Sequence, residues 1–339
     1  MSAPGTSWQY LLVGPRKLER RERTLGELVD GWVRVRLLYC GICGSDLSTF
    51  EGRRNVTYPV SLGHEFVAEV WETAGSVGNL TTGDIVTSDL NFRCGCCDQC
   101  RRGRSHLCRT GQRGMFSNRG FAQFSDLHAS YLIPIEPPLR RQLALTEPLS
   151  CVLHAARWAA PQSSERVLIV GAGGLAGCLA FALSRHTPAL PFEITDILPA
   201  RSALIAGAAT TARAIPAPDG EYDVVFELSG SETGLRAACQ HTRPGGRLCT
   251  MSHLDGYSNA DFLLAALTRR DITFTVSYLN GEQDTMRSAA TALADSWTPA
   301  WDRLLQVLPA ESLQSALQTR RTAPWCKTLI EIAPGGGPV

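Results

Sequence analysis

The sequence predicts an α/β protein built in two parts: a β-rich first part, and a doubly wound parallel sheet behind it. Three observations carry this. Up to about residue 150 the chain reads as short strands broken by Gly and Pro turns. From about Glu147 onward, strand-like runs alternate with helical stretches, the pattern of a parallel sheet covered by helices. At Gly171 a glycine-rich turn joins a buried strand to a helix.

The elements follow in order. Trp32-Val33-Arg34-Val35-Arg36-Leu37 alternates with period two, as a half-buried strand does. Strands are expected at 66–72 and 85–88, punctuated by Gly75, Gly78 and Gly83-Asp84. A helix is expected over 148–160. Val167-Leu168-Ile169-Val170 is a short apolar run of the buried-strand type, and Leu179-Ala180-Phe181-Ala182-Leu183 continues into a helix. Strand-like runs recur at 192–195, 223–226, 247–250 and 272–276. A helix over about 282–296 leads to a final strand at 327–332. The tail Pro334-Gly335-Gly336-Gly337-Pro338 is expected to fray.

A length of 339 residues suits two domains of roughly 100–200 residues each. Hydrophobic residues make up 44% and charged residues 19%, which describes an ordinary globular chain. A formal net charge of +1 gives no footing for nucleic acid, an anionic membrane or an acidic substrate. The N-terminal stretch lacks the apolar core and cleavage site of a signal peptide. No apolar run approaches the roughly 18 residues of a membrane span. The expectation is a cytoplasmic protein.

Twelve cysteines in a reducing compartment point to metal or catalysis rather than disulfides. Five fall between Cys94 and Cys108. Cys94, Cys97, Cys100 and Cys108 have the spacing of a closed structural zinc site of four thiolates. Cys96 is a bystander. The basic run Arg101, Arg102, Arg104, Arg109, Arg113 reads as a solvated loop, because no aromatic stacking residues interleave with it. Cys151, Cys178, Cys239, Cys249 and Cys326 lie among apolar neighbours and read as buried, inert thiols.

A second constellation is dispersed: Cys43-Gly44-Ser45-Asp46, then Gly63-His64-Glu65, then Thr146-Glu147-Pro148. A catalytic zinc takes three protein ligands and keeps one position open. One thiolate, one imidazole and one carboxylate meet that rule. A third is Gly171-Ala172-Gly173-Gly174-Leu175-Ala176, a dinucleotide fingerprint in its required strand–turn–helix context. Asp196, at the end of the next strand, is placed to accept from a ribose 2′-hydroxyl and to repel a 2′-phosphate, which favours NAD over NADP. Arg201 and Ser229 complete the cofactor-binding candidates.

In this order the motifs resemble the zinc-containing alcohol and polyol branch of the medium-chain dehydrogenases, over nearly the whole chain. Glu227-Leu228-Ser229-Gly230 and Pro244-Gly245-Gly246 agree with it. The resemblance implies a GroES-like β-barrel catalytic domain (residues 1–150 and 285–339) and an inserted Rossmann NAD-binding domain (151–284). It implies two zinc ions per chain, one structural and one catalytic, and NAD as cofactor. It matches Cys43, His64 and Glu147 to the catalytic zinc ligands, Glu65 to a carboxylate that can approach the metal, and Ser45 to the hydroxyl that meets the substrate oxygen. Asp46 matches a residue behind the ligands.

Three features depart from the common pattern. The third ligand sits in a Glu-Pro-Leu context, as in sorbitol and threonine dehydrogenases. Ser48 stands where many members have a relay histidine. Arg119 replaces a glycine. The stretches 43–48 and 58–60 look most like cyclitol dehydrogenases of aminoglycoside biosynthesis, which oxidise 2-deoxy-scyllo-inosamine.

The implied partner is a small-molecule alcohol, and the implied assembly a homodimer or homotetramer. Rival readings are a zinc-ribbon nucleic-acid module, a reductase running ketone to alcohol, and a non-catalytic zinc scaffold. The first leaves the dinucleotide fingerprint unexplained, and the intact ligand set argues against the last.

Overall fold

The period-two run that opens at Trp32 extends to Gly41 and becomes the central strand of the first part. In the computed structural model, residues 5–91, 93–110, 119–136, 140–252, 261–279 and 283–333 are described. The expected tail and Arg113 lie outside them.

The chain opens with a hairpin, β1 (Thr6–Gly14) and β2 (Lys17–Thr24). No period in the sequence marks it. β2 is the charged string KLERRERT, largely exposed at the sheet edge. It has no apolar alternation to read, and its charges suit an edge that must not recruit another strand. Next come β3 (Trp32–Gly41), helix α1 (Gly44–Phe50), β4 (Val60–Ser61), β5 (Glu65–Thr73), β6 (Ile85–Ser88) and α2 (Asp98–Arg101). β7 (Phe124–His128), β8 (Leu132–Ile135) and α3 (Thr146–Ala159) follow. β4 pairs with β1. β3 pairs along one edge with β5, and β6 and β8 extend the sheet. Val33, Val35 and Leu37 on β3 pack with Phe66, Ala68 and Val70 of β5 in one core. Arg119, at the unusual position, adopts a left-handed φ of 45°, the conformation glycine enters without strain.

The second part is one parallel sheet of six strands. It contains β9 (Val167–Val170), β10 (Phe192–Thr195), β11 (Ala212–Ala214), β12 (Tyr222–Glu227), β13 (Thr242–Thr250) and β14 (Thr273–Val276). Helices α4 (Gly174–His186), α5 (Pro199–Ala208), α6 (Glu232–His241) and α7 (Asp261–Arg270) alternate with the strands. The order β11-β10-β9-β12-β13-β14 reverses between β9 and β12, where a doubly wound sheet opens its ligand crevice. Burial explains the unbroken apolar run of β9. Val167 and Ile169 enter one core with α4 residues, while Leu168 and Val170 enter another with α6 residues. Both faces are covered, so both need apolar side chains.

After α8 (Gln283–Ser296) and α9 (Pro299–Asp302), the chain returns to the first part. β15 (Leu305–Pro309) runs parallel to β16 (Lys327–Glu331), with α10 (Leu313–Thr319) between them. β16 takes the edge of β3 opposite β5, over Tyr39–Gly41, and β7 takes the rest of that edge. The last strand thus completes the first sheet. The expected boundaries fall within helices: 150/151 inside α3, and 284/285 in the first turn of α8. Both helices pack together, and α3 also packs on α4. No helix among the described residues is long and apolar enough to cross a membrane.

Candidate active site

The end of β3, the start of α1 and the start of β5 converge. One ligand atom each from Cys43, His64 and Glu65 lie within 4.8 Å of one another. Cys43 is the N-cap residue of α1. Three residues on, Asp46 turns back: Oδ2 accepts from the Cys43 N–H at 2.9 Å, and Oδ1 from the Gly63 N–H at 3.1 Å. Asp46 Oδ1 also lies 3.6 Å from His64 Nδ1. At that distance the carboxylate faces Nδ1 as a charge partner beyond hydrogen-bond reach, and Nε2 is left for a metal. Ser45 Oγ is 3.5 Å from that Nε2.

Burial opposes charge on His64, but the negative groups of Asp46 and Cys43 outweigh it and raise the imidazole pKa well above its usual value. Burial likewise opposes charge on Asp46, and His64 with the two backbone N–H groups holds its carboxyl below the usual range. A thiolate, a correctly presented imidazole and a carboxylate at this spacing fit a zinc ion.

Glu147 stands beside this trio and not within it. It is buried on the first turn of α3, where its Oε1 accepts from Cys151 Sγ at 3.3 Å. Burial, resisted by His64 and reinforced by Glu65, pushes its pKa up to about 7. Cys151 therefore has a polar contact that its apolar sequence context did not announce. Ser48, at the relay position, accepts from Arg53 at 3.2 Å.

The four cysteines of the 94–108 loop gather as their spacing predicts. Their Sγ atoms are 3.5 Å apart for Cys97–Cys100 and Cys94–Cys108, 3.9 Å for Cys97–Cys108 and 4.0 Å for Cys94–Cys100. Four sulfurs at about 2.3 Å from one zinc stand about 3.8 Å apart, so the cage has the right size. The Cys97 N–H donates to Cys94 Sγ at 3.3 Å and the Cys94 N–H to Cys108 Sγ at 3.4 Å. The Thr110 hydroxyl and the backbone N–H groups of Cys96 and Cys97 bring the Cys94 pKa down to about 5. Cys96 is exposed and outside the cage.

At the second part, Gly171 to Gly173 form the turn between β9 and α4, with Gly173 as the helix N-cap. Ala176 is fully buried and Leu175 half-buried. Asp196 holds this turn directly: Oδ2 accepts from the Ala172 N–H at 2.6 Å and Oδ1 from the Leu198 N–H at 2.8 Å. Ser229 lies against Gly171, whose added Cβ would meet Ser229 N at 2.6 Å. Arg201 departs from expectation. Its guanidinium is buried and donates to the backbone carbonyls of Ala323, Arg320 and Arg321 at 2.8, 2.9 and 3.1 Å. It ties α5 to the segment before β16, so its guanidinium donors are taken by backbone carbonyls.

Comparison with known proteins places the chain. Residues 29–137 match the alcohol dehydrogenase GroES-like domain family. L-threonine 3-dehydrogenase of Streptomyces avermitilis is 33% identical over 244 residues, covering 66% of this chain and 70% of that protein. The chain belongs to the zinc-containing medium-chain alcohol and polyol dehydrogenases. D-altritol 5-dehydrogenase of Agrobacterium fabrum is 32% identical over 236 residues, 66% of this chain and 70% of that enzyme. The fold of this dehydrogenase also matches the structure of acetophenone reductase from Geotrichum candidum in complex with NAD. The TM-score is 0.83 at 18% identity, over 98% of this chain and 99% of that one. The GroES-like and Rossmann-type parts are those of the family.

One residue of the dehydrogenase's site was missed altogether. Lys327, at the start of β16, is buried and forms an ion pair with Glu65. Its stem also lies against the first residue of α4: a Cβ added to Gly174 would be 2.8 Å from Lys327 Cδ. Gly41 makes room for the pair, since a Cβ there would sit 2.5 Å from Glu65 Oε2 and 3.0 Å from Lys327 Cε. A lone lysine far along the chain carries no local signal of such a role.

Proposed function

We propose that this dehydrogenase oxidises a secondary alcohol of a polyol, cyclitol or amino alcohol to a ketone, with NAD as the preferred hydride acceptor. The observation that carries this is the placement of Lys327, which touches both Glu65 of the Cys43–His64–Glu65 trio and the first residue of α4. It sets the candidate metal centre beside the candidate dinucleotide turn. Cys43 and His64 would hold a catalytic zinc, with Glu65 and Glu147 as the carboxylates in reach. The four-cysteine cage would hold a structural one.

When bound, the zinc supplies Lewis acidity that lowers the pKa of a hydroxyl, and the dinucleotide supplies the hydride acceptor. The chain's own groups do the rest. Asp46 faces His64 Nδ1 at 3.6 Å and balances its charge, leaving Nε2 for the centre. Ser45 Oγ receives the hydroxyl proton of the substrate and passes it towards solvent. The Gly171–Gly173 turn and the N-terminus of α4 receive the pyrophosphate, with the Lys327 ammonium beside it. Asp196 accepts from the ribose 2′-hydroxyl with the lone pairs its two backbone donors leave, which supports NAD over NADP.

The finer substrate reading is 2-deoxy-scyllo-inosamine, supported by the 43–48 and 58–60 stretches. A sorbitol- or threonine-type substrate is the second reading; the L-threonine 3-dehydrogenase relative supports the threonine type. Ketone reduction is the same chemistry in reverse. The assembly reading is a homodimer or homotetramer. The test is a screen for reduced nicotinamide across cyclitols, polyols, amino alcohols and simple alcohols, with NAD and NADP. A preference for NAD with a cyclitol or polyol is expected. Turnover of simple primary alcohols alone would contradict the substrate class.

A further inference from the structure

Glu227 closes β12 at the point where the sheet order reverses, and it is fully buried. Five donors converge on its carboxylate. Oε1 accepts from Ser229 N–H at 2.8 Å, Ser229 Oγ at 2.6 Å and Gly230 N–H at 3.2 Å. Oε2 accepts from Thr250 Oγ1 at 2.9 Å and Ser252 Oγ at 2.7 Å.

The proton directions are set by the carboxylate, which only accepts, so Ser229, Thr250 and Ser252 each give it their hydroxyl proton. Thr250 Oγ1 receives the Ser252 N–H at 3.1 Å, and Ser229 Oγ receives the Ser231 N–H at 3.2 Å. Behind Ser229, Ser231 Oγ is 2.9 Å away and accepts the Gly234 N–H at 3.0 Å. This chain leads from the N-terminal turn of α6 to the carboxylate. The turn so fixed, Leu228–Gly230, is the one pressed against Gly171.

Resting on the dehydrogenase reading, we propose that Glu227 is a positioning residue of the dinucleotide crevice. It seats the Leu228–Gly230 turn against Gly171. It also commits the protons of Ser229, Thr250 and Ser252, so that half-buried Ser252, at the carboxyl end of β13, offers its remaining capacity as an acceptor. The crevice here selects a ligand group that donates, a hydroxyl or a carboxamide N–H, over an anionic one. Fixed dipoles of this kind favour their ligand at no reorganisation cost.

The test is NADH binding, read by the fluorescence of the nicotinamide, to wild-type protein and to Glu227→Gln, Ser252→Ala, Ser252→Thr and the Glu227→Gln/Ser252→Ala double variant. Expected is a rise of about ten-fold in the NADH dissociation constant for Glu227→Gln and for Ser252→Ala, or about 1.4 kcal/mol. Ser252→Thr keeps the hydroxyl and binds as wild type does. The double variant is no weaker than the weaker single one, because both act through one proton. The KM for NAD rises while kcat stays within about two-fold.

Additive effects, or wild-type binding by Ser252→Ala, would overturn the proposal, and the second outcome does not depend on Glu227→Gln folding. Failure of wild-type protein to bind NADH would instead overturn the dehydrogenase reading beneath it.

Discussion

Lys327 forms a buried ion pair with Glu65, one residue after His64 and beside Cys43. Burial alone would drive the ammonium pKa down, but Glu65 and Cys43 reverse this and raise it. Removing one partner of a buried pair leaves an uncompensated charge, at a cost of about 3–5 kcal/mol. Lys327→Met is therefore expected to destabilise the fold by that order and to raise the KM for NAD at least ~10-fold. Denaturant melts and steady-state kinetics check the two effects. Wild-type stability in the variant would remove the ion pair from the account.

Glu147 predicts a pH dependence of the metal-stripped protein. Its folded pKa of about 7 lies above its ordinary 4.5, so the folded state holds the proton more tightly than the unfolded one. The stability this contributes is fully present below about 4.5 and is lost as pH rises through about 7. Melting temperatures between those values should fall more steeply for wild type than for Glu147→Gln. Parallel curves would show that Glu147 does not titrate in this window.

The cysteine cage predicts a selective loss of metal. Cys97→Ser removes one of four thiolates, and zinc content should fall from about two to about one ion per chain. The protein should melt at a lower temperature, because a structural site contributes directly to folding. Elemental analysis after dialysis reads the first effect. Two retained ions would exclude a structural role for this cage.

Asp196 predicts cofactor preference. Asp196→Ala removes both the group that would meet the 2′-hydroxyl and the acceptor that holds the Ala172 N–H. The ratio of kcat/KM for NAD to that for NADP should drop at least ~10-fold. An unchanged ratio would mean that preference is set elsewhere.

What was legible in the sequence was local. The four cysteines, the glycine turn and the β10 strand each declare themselves within a few residues, because one loop or one strand–turn–helix unit builds them. Both parts of the fold followed from the change of period near Glu147. What escaped depends on distant segments. Lys327 reaches Glu65 only because β16 pairs back onto β3 at Gly41. Arg201 has the sequence context of a cofactor ligand, yet carbonyls of the 320–323 segment capture it first. Glu227 belongs to the Glu227–Gly230 stretch that the family resemblance marks, but the hydroxyls that meet its carboxylate come from the ends of two strands. The β1–β2 hairpin hid because β2 is charged on both faces.

The most direct test of the account is Cys43→Ala, assayed for metal, NADH binding and alcohol oxidation together. Zinc is expected to fall from about two to about one ion per chain, NADH to bind still, and turnover to drop by at least ~10³-fold. Alcohol oxidation at the wild-type rate by Cys43→Ala would contradict the claim that the chemistry sits at Cys43, His64 and their neighbouring carboxylates.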